Sequence, residues 1–169
     1  AFLDSDDLWK KDKLEKQIEF MKDNNYFFSY TNYIEIDEND EKTGTKVTGP
    51  KKITKIGMKN YCWPGCLTVM YDAEKIGLIQ IEDIKKNNDY AMWLKVCKKA
   101  DCYLLNEELA MYRKRNGSIS NHSYFVLIKW HYKLYKEIEH QSIICSLFNT
   151  YRNIIFGIIK KIKYISKEK

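Results

Sequence analysis

The N-terminal third of the chain alternates short apolar runs with amphipathic stretches. Residues 1–3 are apolar and typical of the end of a buried strand. Apolar side chains then recur at i, i+4 and i+7, which predicts a helix over residues 9–24 with Leu14, Ile18 and Met21 on its buried face. Residues 26–36 are rich in Tyr, Phe, Thr and Ile, and they predict a strand.

The middle of the chain continues this alternation. Residues 37–50 are polar with two glycines and a proline, which predicts a loop or hairpin tip. A short helix is expected over residues 52–60 and a strand over residues 66–71. A further helix is predicted over residues 89–99, with Asn87 and Asn88 as N-caps and an apolar stripe formed by Tyr90, Trp93, Leu94 and Cys97.

Two short strands are predicted after that helix, over residues 102–105 and 109–115. Alternation along the second strand places Met111, Arg113 and Arg115 on one face. Helix is predicted from about Ser123 onward. Strands that alternate with helices indicate a layered α/β fold.

Length, charge, cysteine spacing and hydrophobicity limit the possible classes of protein further. The 169 residues suit one globular domain, and the net charge of +6 combines an acidic first 50 residues with a basic remainder. The five cysteines match no zinc spacing and are interpreted as scattered buried thiols in a reducing cytoplasm, with a zinc site as the alternative. No uncharged stretch reaches the roughly 20 residues that span a bilayer.

The main candidate for chemistry is the acidic segment Asp4-Ser5-Asp6-Asp7, directly after the first predicted strand. Ligands of open α/β sheets bind beyond the carboxyl ends of strands, and carboxylates at i and i+2 can face one Mg²⁺ or Mn²⁺ ion. The alternative is that these acids cap the following helix and complement its dipole, a role expected of Asp7. Spacing alone does not separate the two interpretations.

Several strings together resemble family 2 glycosyltransferases of the GT-A fold. FLDSDDLW at residues 2–9 resembles the family's DxD region, and GCLTVM at residues 65–70 its central strand in the acceptor half. NDYAMWL at residues 88–94 resembles its (E/Q)DYxxWL segment, and YRKRNGSIS at residues 112–120 its closing loop. The likeness covers about residues 1–121 and is closest to enzymes of teichuronic-acid, capsular or surface polysaccharide synthesis.

The resemblance implies a fold and a domain layout. The chain would be the C-terminal part of a GT-A fold, a mixed sheet with flanking helices. Residues 1–121 would form the metal and acceptor half of the transferase domain, and residues 122–169 a C-terminal helical extension. The first, nucleotide-binding half would lie upstream of Ala1, so this chain alone is expected to bind no nucleotide sugar usefully, and its first strand should lie at an exposed sheet edge.

The resemblance also implies an inverting transfer from a nucleotide-diphosphate sugar to a glycan or lipid-linked acceptor. Asp6 would hold Mn²⁺ or Mg²⁺, and Asp4 would lie near the donor ribose and reach the metal through water. Asp89 would be the catalytic base. Trp93 would form part of the acceptor wall or, equally, of the core.

Two positions depart from the family pattern. Asn88 stands where many members have Glu or Gln, and Arg115 stands where His is frequent. Arg cannot bind a metal ion, so Arg115, together with Arg113, is expected to contact the donor diphosphate. His122, His131 and His140 follow the matched region and are interpreted as surface or packing residues.

The C-terminal segment has a separate character. Residues 143–162 place Ile, Leu, Phe and Tyr at helical spacing, and residues 152–169 carry six bases against one acid. A basic amphipathic helix is typical of membrane-surface binding. The alternatives are packing on the domain or a homodimer. Nucleic acid is not expected, because no known motif accompanies the basic charge. A non-catalytic docking fragment derived from a transferase is the alternative function.

Overall fold

The computed structural model describes residues 1–115 and 124–167, with Tyr124 described by its backbone only. Its strands are β1 (Leu8–Trp9), β2 (Phe28–Ile36), β3 (Lys42–Val47), β4 (Lys52–Ile53), β5 (Met70–Tyr71), β6 (Cys102–Arg113) and β7 (Ile165–Lys167). Its α-helices are α1 (Lys13–Asp23), α2 (Lys55–Asn60), α3 (Ala73–Ile76), α4 (Asn88–Val96), α5 (Tyr124–Lys133) and α6 (Ile143–Lys163). A 3₁₀ turn at Cys66–Thr68 and a π-helical turn at Leu134–Ile138 complete the elements.

One mixed sheet runs through the described residues in the order β1-β6-β2-β3-β7, with β4 also on β6 and β5 also on β2. β2 and β6 are parallel to each other, and the remaining pairs are antiparallel. Helices flank this sheet. The predicted α/β architecture, a mixed sheet with flanking helices and a helical C-terminal extension as in a GT-A fold, is therefore confirmed.

The two strands predicted over 102–105 and 109–115 are one strand, β6. Its pairing with β2 shifts register where Thr31 faces Leu105, Asn32 faces Glu108 and Tyr33 faces Ala110. The polar run between them is accommodated as a bulge, because the extra residues find no partner on β2 while pairing resumes on both sides. The polar interruption in the sequence marks this irregularity and not a break between strands.

Other predicted elements differ from the structure in the N-terminal half. Residues 1–3 form no strand, and Leu8–Trp9 pairs with β6, so α1 begins at Lys13. The face of α1 that is buried carries Lys13, Gln17 and Met21. Leu14 and Ile18, expected in the core, are exposed.

The polar region 37–50 contains strand β3 as well as the hairpin tip. The Asp37 carboxylate accepts hydrogen bonds from the backbone N–H groups of Asn39 and Glu41, at 2.8 and 2.9 Å. This Asx-type turn closes the β2–β3 hairpin. Helix was predicted from residue 52, but Lys52–Ile53 is strand and the helix follows it. The strand predicted over 66–71 is reduced to Met70–Tyr71.

The core lies between the sheet and helix α4. Trp93, Tyr90 and Phe28 are fully or almost fully buried there, and the Tyr90 hydroxyl lies 2.9 Å from that of Tyr135. Tyr135 follows α5, so the C-terminal segment packs directly on α4. The chain then returns to the sheet, where its last strand pairs with β3. This last strand, β7, was not predicted from the sequence pattern. Among the described residues, no helix combines the length and the apolarity needed to cross a bilayer.

Candidate functional site

The acidic segment forms a turn anchored on β6 by its last member. The N–H of Asp7 donates to the carbonyl of Asp4 at 3.1 Å, and the Asp7 carboxylate accepts from the N–H of Arg113 at 2.8 Å. Burial raises the pKa of Asp7 to about 6, with the Arg113 N–H opposing and the charges of Asp6 and Asp4 adding to the rise. Asp7 is therefore not the helix cap expected from sequence, because α1 begins five residues beyond Leu8, after a short strand.

With Asp7 turned inward, Asp4 and Asp6 remain accessible. Asp4 is exposed and Asp6 is partly exposed. The carboxylate of Asp6 lies 3.5 Å from Nε of Arg115, so the Arg at the position where the family often has His faces the acidic segment. The other predicted part of that loop, residues 116–120, and also His122 lie outside the described residues.

Arg113 is committed to protein acceptors. Its Nε donates to the carbonyl of Asp6 at 2.7 Å and its Nη1 to the carbonyl of Asp37 at 2.9 Å, while Nη2 pairs with the Asp40 carboxylate. Only 12% of its side chain is exposed. The fork geometry of the guanidinium thus ties the acidic segment to the β2–β3 hairpin. The structure gives Arg113 a positioning role beside the donor contact expected from sequence, which stays a prediction.

Asp89 lies in the first turn of α4, as predicted. One turn further along the helix, Trp93 contacts Phe2, which lies two positions before the acidic segment. Its carboxylate accepts from the N–H of Tyr90 at 2.7 Å. Burial raises the pKa of Asp89, the Tyr90 N–H opposes this, and the negative charge of Asp4 raises it further. Two carboxylates separated by 85 positions in sequence therefore influence each other in the fold. Asn87 occupies the N-cap position in the left-handed region, but its side chain bonds to His131 and not to the helix.

Trp93 lies in the core. It is fully buried, with its ring against Phe2 at 5.2 Å and Phe28 at 6.0 Å between centroids. Of the two interpretations of Trp93, this position favours packing. Its indole N–H is buried without a hydrogen-bond partner among the described residues.

Lys13 is a buried cation that sequence reasoning missed. It lies on the face of α1 that contacts the sheet, with Nζ 2.7 Å from Oε1 of Gln17 and 4.4 Å from the centroid of the Trp9 ring. None of the ion pairs found among the described residues supplies it with a carboxylate. Burial lowers the pKa of Lys13 to about 8. The burial of Lys13 was not predicted from the sequence, because the apolar residues Leu14 and Ile18 indicated that a different face of α1 is buried.

The lowered pKa makes the contribution of Lys13 to stability pH-dependent. Because the unfolded chain holds the Lys13 proton more tightly, the parent's unfolding free energy is reduced at neutral pH and recovers as pH rises from about 8 to above about 10.4. The substitution Lys13→Met removes this pH-dependent contribution to the free energy of unfolding. The stability advantage of the variant over the parent should therefore shrink by about 3 kcal/mol across that range, at about 1.4 kcal/mol per pKa unit.

Urea unfolding of both proteins at several pH values measures this difference. The Gln17 amide oxygen loses its donor in the variant, but that cost is independent of pH and leaves the slope unchanged. Lys11→Met, at an exposed position on the same segment, is the control and should show no such trend. A parallel pH dependence for the Lys13 variant and the parent would contradict the assignment.

The donor set at the acidic segment suits a metal ion shared with a ligand. Within the described residues, no three His, Cys, Asp or Glu side chains come together as a protein metal cage. Mg²⁺ is typically held by one or two carboxylates together with substrate phosphates and water. The accessible pair Asp4 and Asp6 fits that arrangement, and Arg115 beside Asp6 adds a cation that suits a phosphate.

Within residues 1–115 and 124–167, the other titratable groups near this site do not form a second catalytic set. Burial raises the pKa of the Cys66 thiol to about 12, and the charges of Asp89, Asp4 and Asp7 add to the rise. Cys66 therefore stays protonated at neutral pH. Burial lowers the pKa of His131 to about 4, and its ring packs edge-on against Tyr90. The packing interpretation of His131 agrees with this position, and His140 is exposed.

Comparison with known proteins agrees with the motifs. Residues 1–71 match the sequence model of glycosyl transferase family 2. A Bacillus subtilis (strain 168) protein named as a teichuronic acid biosynthesis glycosyltransferase is 42% identical over 140 residues, 82% of this chain and 55% of that protein. The matched segment is that of a family 2 glycosyl transferase, and the resemblance found from sequence is confirmed.

Two relatives from Escherichia coli carry more specific names. Both are named UDP-Glc:alpha-D-GlcNAc-diphosphoundecaprenol beta-1,3-glucosyltransferases. One is 38% identical over 126 residues, covering 73% of this chain and 49% of the relative. The other is 36% identical over 160 residues, covering 92% and 62%. The chain thus spans about half to three fifths of the length of these relatives.

Proposed function

We propose that the protein containing this chain transfers a sugar, a hexose, from a nucleotide-diphosphate donor to a glycan or lipid-linked acceptor in surface polysaccharide synthesis. The observation that carries the proposal is the contact between helix α4 and the residues that lead into the acidic segment: the ring of Phe2, two positions before Asp4, lies 5.2 Å between centroids from that of Trp93, one turn after Asp89. The charge of Asp4 also raises the pKa of Asp89. A base and a donor-binding pair are the two parts that such a transfer needs on opposite sides of the reacting carbon. The family match and the names of the relatives support the same reaction.

Asp89 acts as the general base in this proposal. The acceptor hydroxyl oxygen attacks the anomeric carbon, the bond from that carbon to the diphosphate oxygen breaks, and the hydroxyl proton moves to the Asp89 carboxylate. One displacement inverts the anomeric configuration. Because desolvation raises the pKa of Asp89, its ionised form is a stronger base than an exposed aspartate. The Tyr90 N–H keeps the carboxylate oriented at the start of α4.

Asp6, with Asp4, is the proposed holder of Mn²⁺ or Mg²⁺. When bound, the ion supplies positive charge to the departing diphosphate. Asp7 and Arg113 keep the segment in place, because their bonds tie its last two residues to β6 and, through Arg113, to the β2–β3 hairpin. Arg115, whose Nε lies 3.5 Å from the Asp6 carboxylate, is the proposed second cation for the diphosphate. Asp4 is left for the donor ribose or for water bound to the metal.

The acceptor and the compartment follow from the same proposal. The Escherichia coli relatives are named for an acceptor that is a sugar on an undecaprenol diphosphate, and this chain is proposed to take an acceptor of that class. The cytoplasm is the proposed compartment. All five cysteines are free in the structure, which is compatible with a reducing environment.

The test is a transfer assay with the full-length protein, radiolabelled uridine diphosphate hexoses and a synthetic lipid diphosphate bearing N-acetylglucosamine. We expect label to enter the lipid fraction in the presence of Mn²⁺ or Mg²⁺ and to stay in the aqueous phase when a chelator is added. Analysis of the anomeric configuration of the product tests inversion. Donor binding without any transfer across a panel of sugars and acceptors would favour the non-catalytic docking function.

A further inference from the structure

The polar side of helix α6 faces the rest of the domain. Its buried residues are all polar or charged: Ser146, Asn149, Thr150, Asn153 and Lys160. Nine large apolar or aromatic side chains of this helix are exposed: Ile143, Ile144, Leu147, Phe148, Tyr151, Ile155, Ile158, Ile159 and Ile162. Water-soluble surface helices normally have the reverse arrangement. The apolar side of this helix is therefore suited to surroundings that are not water.

Specific hydrogen bonds fix the inner side to the domain. The Asn149 amide donates to Oε1 of Gln141 at 2.6 Å, and the Asn153 amide donates to the Tyr90 hydroxyl at 3.3 Å. Near the other end, Nζ of Lys160 donates to the carbonyl of Trp63 at 2.9 Å. These contacts lie on one line along the helix. The orientation of α6 is consequently set by the fold, and the apolar side cannot turn inward without breaking them.

The outer side forms one continuous surface. At about 100° per residue, the exposed apolar positions centre opposite the buried ones. The helix has 21 residues, so the stripe extends for roughly 31 Å at 1.5 Å per residue. Ile144 and Ile162, near its two ends, are each 80% exposed. This is much larger than the scattered apolar residues of an ordinary surface.

Cations border this stripe, and α6 contains no acidic residue. On the helical projection, Lys161 lies on one side of the stripe and Lys163 on the other. Arg152 lies on the same side as Lys163, but its guanidinium donates to the side chains of Asn60 and Asn149. Long basic side chains at the edges of an apolar helix face extend toward lipid headgroups while the apolar side chains enter the acyl boundary. A surface of this kind complements an anionic bilayer in both polarity and charge.

We infer that α6 lies in the headgroup region of an anionic phospholipid membrane, with its apolar stripe inserted and its long axis parallel to the surface. The inference concerns a surface of the chain and does not depend on the transfer reaction. It gives a specific structural basis to the peripheral membrane contact expected for residues 143–169. A second copy of the chain on the same stripe is the competing occupant, and the experiment separates the two.

The experiment is cosedimentation of the full-length protein with phosphatidylcholine vesicles and with vesicles containing about 30% phosphatidylglycerol. We expect binding to the anionic vesicles to be at least tenfold stronger and to weaken as salt is raised, because exposed charges are screened. The variant Leu147→Ser/Phe148→Ser/Ile158→Ser should lose at least tenfold in vesicle affinity. Lys163→Gln should lose roughly fivefold on anionic vesicles only, as expected for one charge near the surface.

The matched control is Ile56→Ser/Leu78→Ser/Ile81→Ser, which removes three exposed apolar residues that are not part of α6 and should bind like the parent. Thermal melting by circular dichroism checks that all variants fold, since every changed residue is exposed. Sedimentation velocity tests the competing occupant. A parent dimer that the α6 variant converts to monomer, with no vesicle binding, would overturn the inference, as would equal vesicle binding by the α6 variant and the parent.

Discussion

Replacing Asp89 with Asn in the full-length protein should lower the turnover number by roughly two to four orders of magnitude, the usual contribution of a positioned general base. Donor affinity should survive, because the proposed diphosphate contacts lie on the acidic segment and Arg115. The Asn side-chain oxygen can still accept the Tyr90 N–H, so the start of α4 is retained. Steady-state transfer and calorimetric donor binding measure the two effects separately.

Stability distinguishes this role from a merely structural one. An acid whose folded pKa is raised contributes stability that is fully present below its unfolded pKa, near 3.9, and is lost as pH rises from there through the higher pKa of the folded state. Since the pKa of Asp89 is raised, ionised Asp89 weakens the fold at neutral pH, and the Asn variant should be as stable as the parent or more stable. An acid that only complements the helix dipole would instead cost about 0.3–1 kcal/mol on replacement and leave turnover intact.

Asp83→Asn is the matched control for this prediction. Asp83 is exposed and lies six positions upstream of Asp89, and its replacement should leave turnover within about twofold of the parent. Glu82 is paired with Lys95 and is less suited as a control. If the Asp89 variant were active and the Asp83 variant inactive, the base would have to be reassigned to Asp83.

The parts of the fold that the sequence predicted are those in which local pattern and burial agree. β2 is dense in β-branched and aromatic residues and lies in the middle of the sheet, and α4 has an apolar stripe that is indeed buried. The helical nature of the segment after residue 123 also follows from its periodicity. In these elements the side chains that favour the local structure are the same ones that the tertiary structure buries.

Prediction failed where tertiary contacts reversed the local pattern. In α1 the buried side chains include Lys13 and Gln17, so hydrophobic periodicity identified the helix but the wrong inner face. In α6 the fully buried side chains are polar, a detail that the periodicity of its apolar residues did not predict. β7 is three residues long, and it forms by antiparallel pairing with the otherwise unpaired edge of β3. No local signal in the sequence marks such a strand.

The candidate site shows the same division. The acidic segment and Asp89 were identified from motif strings, yet their mutual approach depends on how α4 packs behind the sheet. Arg113 was expected to face a donor, and its three protein acceptors come from segments 73 to 107 positions away in sequence. Asp7 was expected to cap a helix, and the strand β1 displaced that helix start. Only the fold determines which of several adjacent acids is buried and which remain accessible.

Removal of the Asp6 carboxylate is the second change with a large expected effect. In Asp6→Ala, Mn²⁺- or Mg²⁺-dependent transfer should fall by more than roughly 10²-fold, since a bound metal ion contributes several kcal/mol of charge stabilisation. The fold should survive. Arg113 binds the backbone carbonyl of Asp6, which alanine retains, and the long ion pair to Arg115 is of the exposed kind that contributes about 0–1 kcal/mol.

Metal binding provides a readout of Asp6 that is independent of turnover. Titration of Mn²⁺ followed by electron paramagnetic resonance, with uridine diphosphate present, should show at least tenfold weaker binding to Asp6→Ala than to the parent. Asp23→Ala removes an exposed acid at the end of α1 and should leave both metal binding and transfer unchanged. Lost transfer with unchanged Mn²⁺ affinity would move the metal ligand to another residue and leave Asp6 a contact to the donor. Unchanged transfer would remove Asp6 from the mechanism altogether, because no other carboxylate of the acidic segment combines accessibility with the neighbouring cation of Arg115.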